Sequence, residues 1–275
     1  MKISVFQINK LRKITGIGIM DCKNALINSN GNIDEAIHIL RKKGEKIAIN
    51  RSLFQMKDGV IISQINSNFT SGTIIGISCE TDFLSKNLEF LNFSFMLSKK
   101  SLEFYTKEDF LKSFLHDKNY HGSVKDIIIN KMGVVGEKIE LKIFERIDSP
   151  FVMNYTHNNY KIATLIGLSS KINVSIAKNI AMHIAAMNPI AINKEGIPNI
   201  LLEKEIDIIK NQIKKEIKSD KIKQKIIKGK IQKFILDNTL LNQKFIKNNK
   251  ISIQEYLNKN NNNNLKINFF KRVSI

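Results

Sequence analysis

An α+β fold is what this 275-residue sequence predicts, on three observations. In residues 1–53, apolar side chains recur at spacings of three and four, the period of an amphipathic helix. From Asp58 the period changes, and short runs rich in β-branched residues take over. Strand-like runs followed by helical runs then occur twice, in residues 54–148 and 149–275, which predicts helices gathered on one face of each unit. Hydrophobic residues make up 43% of the chain, enough to bury a core.

The elements follow in order. Ser4 can cap a first helix whose stripe is Ile8, Leu11 and Ile14. Thr15-Gly16-Ile17-Gly18 ends it, because glycine takes the positive φ that a helix C-terminus favours. A second short helix covers 19–28, and Asn30-Gly31 makes a turn. Asn32, with Glu35 three residues on, resembles a capping box ahead of the stripe Ile33, Ile37, Leu40. Gly44 is expected to stop that helix, and residues 45–57 to form a linker. Three short helices bury little, so the unit reads as a marginal module. Strands are expected over 59–65 and 73–79, separated by a turn-rich stretch, hence a hairpin. Helices are expected within 87–104, 107–116 and 123–132, then a strand over 138–147.

In the second half, strands are expected over 151–156 and 162–168. A helix over 174–187 ends before Pro189, since the residue preceding proline avoids the helical region. Two Lys-rich helices, 202–217 and 221–235, break near Ser219-Asp220. Their narrow apolar stripes fit an antiparallel helical hairpin, at about 200–236, better than a globular core. A helix over 253–257 and a strand over 265–273 close the chain, with the asparagine run 260–264 as a loop tip.

Charge and composition narrow the function. Net charge is +19, which invites a nucleic-acid reading. Almost all of it is lysine; the arginines are only Arg12, Arg41, Arg51, Arg146 and Arg272, and tryptophan is absent. Arginine is the side chain that forks onto phosphate and guanine edges, so a base reader of this composition would be unusual. Lys, Asn and Ile share AT-rich codons, and compositional drift with solvated lysine faces accounts for the charge. The alternative function, a basic RNA- or ribosome-associated binding protein, rests on charge alone; its RNA affinity would fall steeply with salt. No apolar run reaches the ~20 residues of a membrane-spanning helix, and the N-terminus reads neither as a signal peptide nor as a transit peptide. A cytoplasmic protein is therefore expected. Cys22 and Cys79 are too few for a disulfide framework and are expected as small buried hydrophobes. There is no P-loop, no Gly-x-Gly-x-x-Gly, no Gly-x-Ser-x-Gly, and no metal spacing among His38, His116, His121, His157 and His183. No enzyme, cofactor or metal site is expected, and His183 on its apolar helix reads as a core histidine.

Two stretches are distinctive. One runs Leu11-Arg12-Lys13-Ile14-Thr15-Gly16-Ile17-Gly18-Ile19-Met20-Asp21-Cys22-Lys23-Asn24-Ala25-Leu26; the other is Cys79-Glu80-Thr81-Asp82-Phe83-Leu84-Ser85-Lys86-Asn87. Both resemble the signature patterns of the translation elongation factor Ts family, in the family's order and separation. Ile180-Ala181-Met182-His183-Ile184-Ala185-Ala186-Met187-Asn188-Pro189, Tyr155-Thr156-His157 and Gly136-Glu137-Lys138-Ile139 also resemble family counterparts, so the likeness covers nearly the whole chain.

The resemblance implies a ubiquitin-associated-like three-helix module (1–53) that docks on elongation factor Tu. A core of two related α+β subdomains follows (54–148 and 149–275), the second carrying the hairpin. It also implies the purpose: a guanine-nucleotide exchange factor that binds the GDP-bound and nucleotide-free forms of elongation factor Tu, without binding nucleotide, membrane or specific nucleic acid itself. Thr81, Asp82 and Phe83 would form a wedge entering the partner near its magnesium and phosphate site. Leu11, Arg12, Ile19 and Met20 would meet a helix of the partner's nucleotide-binding domain, and His157 a further contact. Asn158 replaces a glycine common in the family, which puts the shape of that last loop in question. Bacterial members often continue into a helical segment, whereas this sequence ends at Ile275, and a weaker grip on the partner is the expectation. Residue chemistry alone leaves two roles open at the wedge. Asp82 can cap a helix while Phe83 packs inward, or Phe83 can project from the strand–helix corner into another protein. The same choice holds for Leu11 and Met20, as module core or contact surface.

Overall fold

The computed structural model describes residues 3–15, 17–51, 55–116, 121–214, 220–260 and 265–275, and the chain is α+β, with eleven α-helices and small antiparallel sheets among them. α1 (Val5–Thr15), α2 (Ile19–Asn28) and α3 (Ile33–Asn50) form the N-terminal bundle around Ile8, Leu11, Cys22, Leu26, Ala36 and Leu40. Ser4 and Gln7 cap α1 reciprocally: the Gln7 N–H donates to Ser4 Oγ at 3.2 Å and the Ser4 N–H to Gln7 Oε1 at 3.0 Å. Asn30 and Gly31 turn the chain with φ of 49° and 84°, and the Asn32 side chain accepts from the Asp34 and Glu35 N–H groups to start α3.

In residues 58–148, β1 (Asp58–Ile65) and β2 (Ser71–Cys79) form the expected hairpin. The helices α4 (Asp82–Ser85), α5 (Leu88–Ser101) and α6 (Lys107–Lys112) follow. A two-stranded ladder, β3 (Phe114–His116) with β4 (His121–Ser123), precedes α7 (Val124–Val135). β5 (Glu140–Asp148) completes a sheet of order β1-β2-β5. The helix expected over 107–116 stops early. Ser113 turns to φ −65°, ψ 143°, its hydroxyl donates to the Phe110 carbonyl at 2.7 Å, and the next three residues find a strand partner instead.

In residues 151–275, β6 (Phe151–Thr156), β7 (Ile162–Leu168) and α8 (Val174–Met187) come first, and α8 ends at Asn188 with φ 45°. α9 (Asn199–Lys214) and α10 (Asp220–Asn238) are the two lysine-rich helices; Ser219, where the break was expected, lies outside the described residues. A short ladder of β8 (Lys244–Phe245) and β9 (Asn248–Ser252), too brief to leave a periodic signal, precedes α11 (Ile253–Asn260) and β10 (Ile267–Ser274). The second sheet has order β10-β7-β6. Residues 261–264 of the asparagine run lie outside the described residues.

The two sheets pack face to face. Ile61, Ile74 and Ile147 of the first meet Val152, Ala163 and Leu165 of the second. On the outer face of the first sheet, Val60, Ile75 and Ile77 pack with Phe90, Phe93 and Ile128 from the helices. On the outer face of the second, Phe151, Met153 and Ile166 pack with Ile180, Ile184 and Leu257. The result is a helix–sheet–sheet–helix sandwich. Helices on one face of each sheet were expected; the other face, left open in the sequence reading, is closed by the opposite sheet. That is why β2 is buried at every position.

Gly44 is the clearest correction. It does not stop α3, which runs through it to Asn50 and takes the first part of the segment read as a linker; residues 52–54 of that segment lie outside the described residues. The reason is tertiary. A Cβ on Gly44 would sit 2.3 Å from the Ile129 carbonyl oxygen, and one on Gly133 would meet the Gly44 backbone at 3.5 Å. The two glycines let α3 and α7 approach backbone to backbone, which outweighs the roughly 1 kcal/mol helix cost of a glycine. Arg41 pairs with Asp126 across the same contact, and Val134 packs on the bundle core. The N-terminal unit is therefore seated on the core.

Candidate partner-binding surface

The second distinctive stretch forms the corner between β2 and α5. Cys79 ends the strand fully buried, with its thiol donating to the Thr81 carbonyl at 3.2 Å. Burial pushes its pKa up to about 12, and burial also raises that of Cys22, so both remain inert thiols. Thr81 is the helix cap: its hydroxyl accepts the Leu84 N–H at 3.3 Å. Asp82, which residue chemistry allowed as the cap, is the first residue inside α4. The threonine takes the capping role because it has the extended backbone a cap requires, φ −119° and ψ 152°. The Asp82 carboxylate pairs with Lys86 one turn on at 2.7 Å, and that hydrogen bond lowers its pKa and raises that of Lys86. Asp82 thus carries its charge in the open.

Phe83 is 83% exposed, which rules out the packed-inward role that residue chemistry had left open. Beyond it stands Leu88, 76% exposed, which sequence reasoning missed. The available signal was its position off the Phe90–Phe93–Leu97 stripe. Beneath these apolar tips the backbone is clamped. Glu137 accepts the Thr81 N–H at 3.1 Å and the Thr81 hydroxyl at 2.7 Å through its two oxygens. Glu80 accepts the Lys138 N–H at 2.7 Å and pairs with Arg51, just past α3. Charge-assisted bonds of this kind are about twice as strong as neutral ones.

The turn that His157 opens is far away in sequence but is tied to this corner through Lys161 at its other end. This is the β6–β7 turn, where Tyr160 takes φ 55°; the His157 backbone N–H donates to the Ile162 carbonyl at 2.8 Å, and its exposed ring meets the Tyr155 hydroxyl at 3.0 Å through Nδ1. Asn158 sits within this closed turn. Lys161 follows directly and reaches the α4 corner, with its Nζ 3.2 Å from Ser85 Oγ.

The remaining candidates stand on the N-terminal bundle. Arg12, Ile19 and Met20 are exposed, the last two at 50% and 65%. Leu11 is a correction: it has no exposed surface and lies in the bundle core. The stripe Ile8–Leu11 faces inward, so Leu11 shapes the bundle and offers no surface to solvent. Phe6, which lies off that stripe and was not singled out, is 77% exposed.

Elsewhere, His183 is the core histidine expected. It is fully buried, its Nε2 is 3.1 Å from Gln243 Oε1, and its Nδ1 accepts the Ile246 N–H at 3.3 Å. Burial lowers its pKa to about 4. Among the described residues, no cluster of three or more His, Cys, Asp or Glu could hold a metal, and no helix is long and apolar enough to cross a membrane.

Comparison with known proteins agrees with the signature stretches. The family described as Elongation factor TS matches residues 80–275. The elongation factor Ts of Christiangramia forsetii is 42% identical over 277 residues, covering 100% of this chain and 99% of the relative. That of Flavobacterium psychrophilum is 41% identical, covering 99% and 98%. That of Amoebophilus asiaticus is 38% identical, covering 94% of each. With matches that run from the N-terminal bundle to the final strand, the chain belongs to the elongation factor Ts family of translation elongation factors.

Proposed function

We propose that this chain is a guanine-nucleotide exchange factor that binds elongation factor Tu and promotes release of GDP, with the Asp82–Phe83 corner as the intruding wedge. The observation that carries the reading is the 83% exposure of Phe83 on a helix whose backbone is clamped at Thr81. An exposed aromatic on a rigid mount loses little entropy on entering a pocket and gains most of its apolar area. Asp82, charged and held by Lys86, gives the wedge a polar flank. Leu88 widens its apolar contact, and the His157 turn supplies a second point of touch. The N-terminal bundle docks through Arg12, Ile19 and Met20, with Phe6 adding apolar area.

No bond of the nucleotide is cut. The factor acts by binding the nucleotide-free partner more tightly than the GDP-bound one, near the partner's magnesium and phosphates. Linkage makes the effect reciprocal: GDP weakens the factor's binding by the same ratio that the factor weakens GDP's. Residues 1–53, 54–148 and 149–275 are the proposed docking module and core subdomains, with residues 200–236 as an insertion in the last. The test is stopped-flow release of a fluorescent GDP from elongation factor Tu with increasing concentrations of this protein. Many-fold acceleration is expected; unchanged release in the presence of folded protein refutes the reading.

A further inference from the structure

We propose that Lys161 is the positioning residue that makes the Phe83 corner and the His157 turn a single rigid contact surface; this rests on the exchange-factor reading above. Its ammonium sits where three pieces of chain meet. It pairs with the Asp58 carboxylate, donates to the Gly59 carbonyl at 2.7 Å, and lies 3.2 Å from Ser85 Oγ. Those three acceptors match the three donors of a lysine. Asp58 and Gly59 open β1, and Ser85 ends α4, whereas Lys161 comes from the second sheet's side.

α4 has four residues, too few to hold a direction by its own hydrogen bonds. Leu84 anchors its middle in the core beside Val60 and Phe90, and its two ends are gripped as well. Glu137 grips Thr81 at the start, and the buried Ser85 is held at the finish by Lys161. Between the grips, Asp82 and Phe83 face outward. The Lys161 and Asp58 side chains are only 24% and 21% exposed, so the pair is shielded and its partners are costly to leave unmatched. The His157 turn has an independent hold on the first half: the Ile61 N–H donates to the Tyr160 carbonyl at 2.7 Å, and the Tyr160 ring meets Phe95 edge-on at 5.6 Å. Removing the ammonium therefore takes away one hold on Ser85, whose hydroxyl keeps its bonds to Asp58 and to the Asp82 carbonyl, without detaching the turn.

The test is GDP release from elongation factor Tu over a range of factor concentrations, for Lys161→Met and Ser85→Ala, each in the wild-type and Phe83→Ala backgrounds. Both variants are expected to lower the rate at saturating factor about fivefold or more, while half-saturation moves less than about threefold. A residue that only stabilises the fold would do the reverse, shrinking the active fraction and shifting half-saturation. In the Phe83→Ala background the same changes are expected to cost less than twofold, because the corner has nothing left to aim. Ser85→Ala keeps the Lys161–Asp58 pair, so a misfolded Lys161→Met leaves the question answerable. An unchanged saturating rate in Ser85→Ala, or equal losses in both backgrounds, overturns the role of Lys161 and leaves the exchange reading standing. Failure of the wild-type protein to accelerate release overturns both.

Discussion

Replacing Phe83 by alanine isolates the proposed wedge. The ring is 83% exposed in the free protein, so its removal leaves no cavity, and fold stability should move by no more than about 0.5 kcal/mol. For a chain of 275 residues that is a melting shift of at most about 2 °C. In a complex the balance differs. A phenylalanine buries roughly 150–250 Å² on full enclosure, which at ~25 cal/mol per Å² corresponds to about 4 kcal/mol or more. Part of that area is already covered here and alanine keeps its own methyl, so a loss of roughly 2–3 kcal/mol is expected, or about 30- to 150-fold in Kd. The assay is titration of nucleotide-free elongation factor Tu with wild type and variant, beside thermal unfolding of each alone. Affinity within about 0.5 kcal/mol of wild type in a fully folded variant would remove Phe83 from the contact. A large melting shift would refute the premise that the ring is free.

Three further outcomes follow from other parts of the molecule. Leu11→Ala, at a fully buried position, should destabilise the N-terminal bundle by about 2–5 kcal/mol, whereas Met20→Asp should leave the melting temperature nearly unchanged and weaken partner binding; calorimetry and titration separate the two, and the opposite pattern would reverse their assignments. Gly44→Ala forces a Cβ against the Ile129 carbonyl oxygen and should cost about 1–3 kcal/mol, seen as faster amide exchange in α3 and α7; a gain of stability would mean the helices are not in close contact. His183, with its pKa lowered to about 4 by burial, binds a proton in the unfolded chain before it does in the folded one. Its share of stability is therefore complete above pH ~6.5 and drains away as the pH falls toward 4, by roughly 2–3 kcal/mol; an NMR titration of the His183 ring with a midpoint above 6 would contradict this.

The sequence by itself determined what depends on neighbours along the chain. Ser4, Asn32 and the Asn30-Gly31 turn act on groups a few residues away, so their capping and turning were legible, as were the helix ending before Pro189 and the β-branched hairpin on either side of residues 66–70. The signature around Asp82-Phe83 marked the corner before any geometry was known. What only the tertiary structure decided involves partners far apart in sequence. Gly44 is a helix stop or a helix contact according to whether another backbone lies against it, and Ile129 does. Leu11 and Met20 are both apolar and both near a helix end; enclosure by α2 and α3 buries one, and the other stays in solvent. Thr81 rather than Asp82 caps α4 because Glu137 fixes the threonine in an extended backbone, and Lys161 reaches Ser85 across the space between the two halves. Local hydrogen bonding and periodicity are written in adjacent residues. Close approach, burial and charge pairing exist only once the sheets have packed face to face, and the direction in which Phe83 points is set by them.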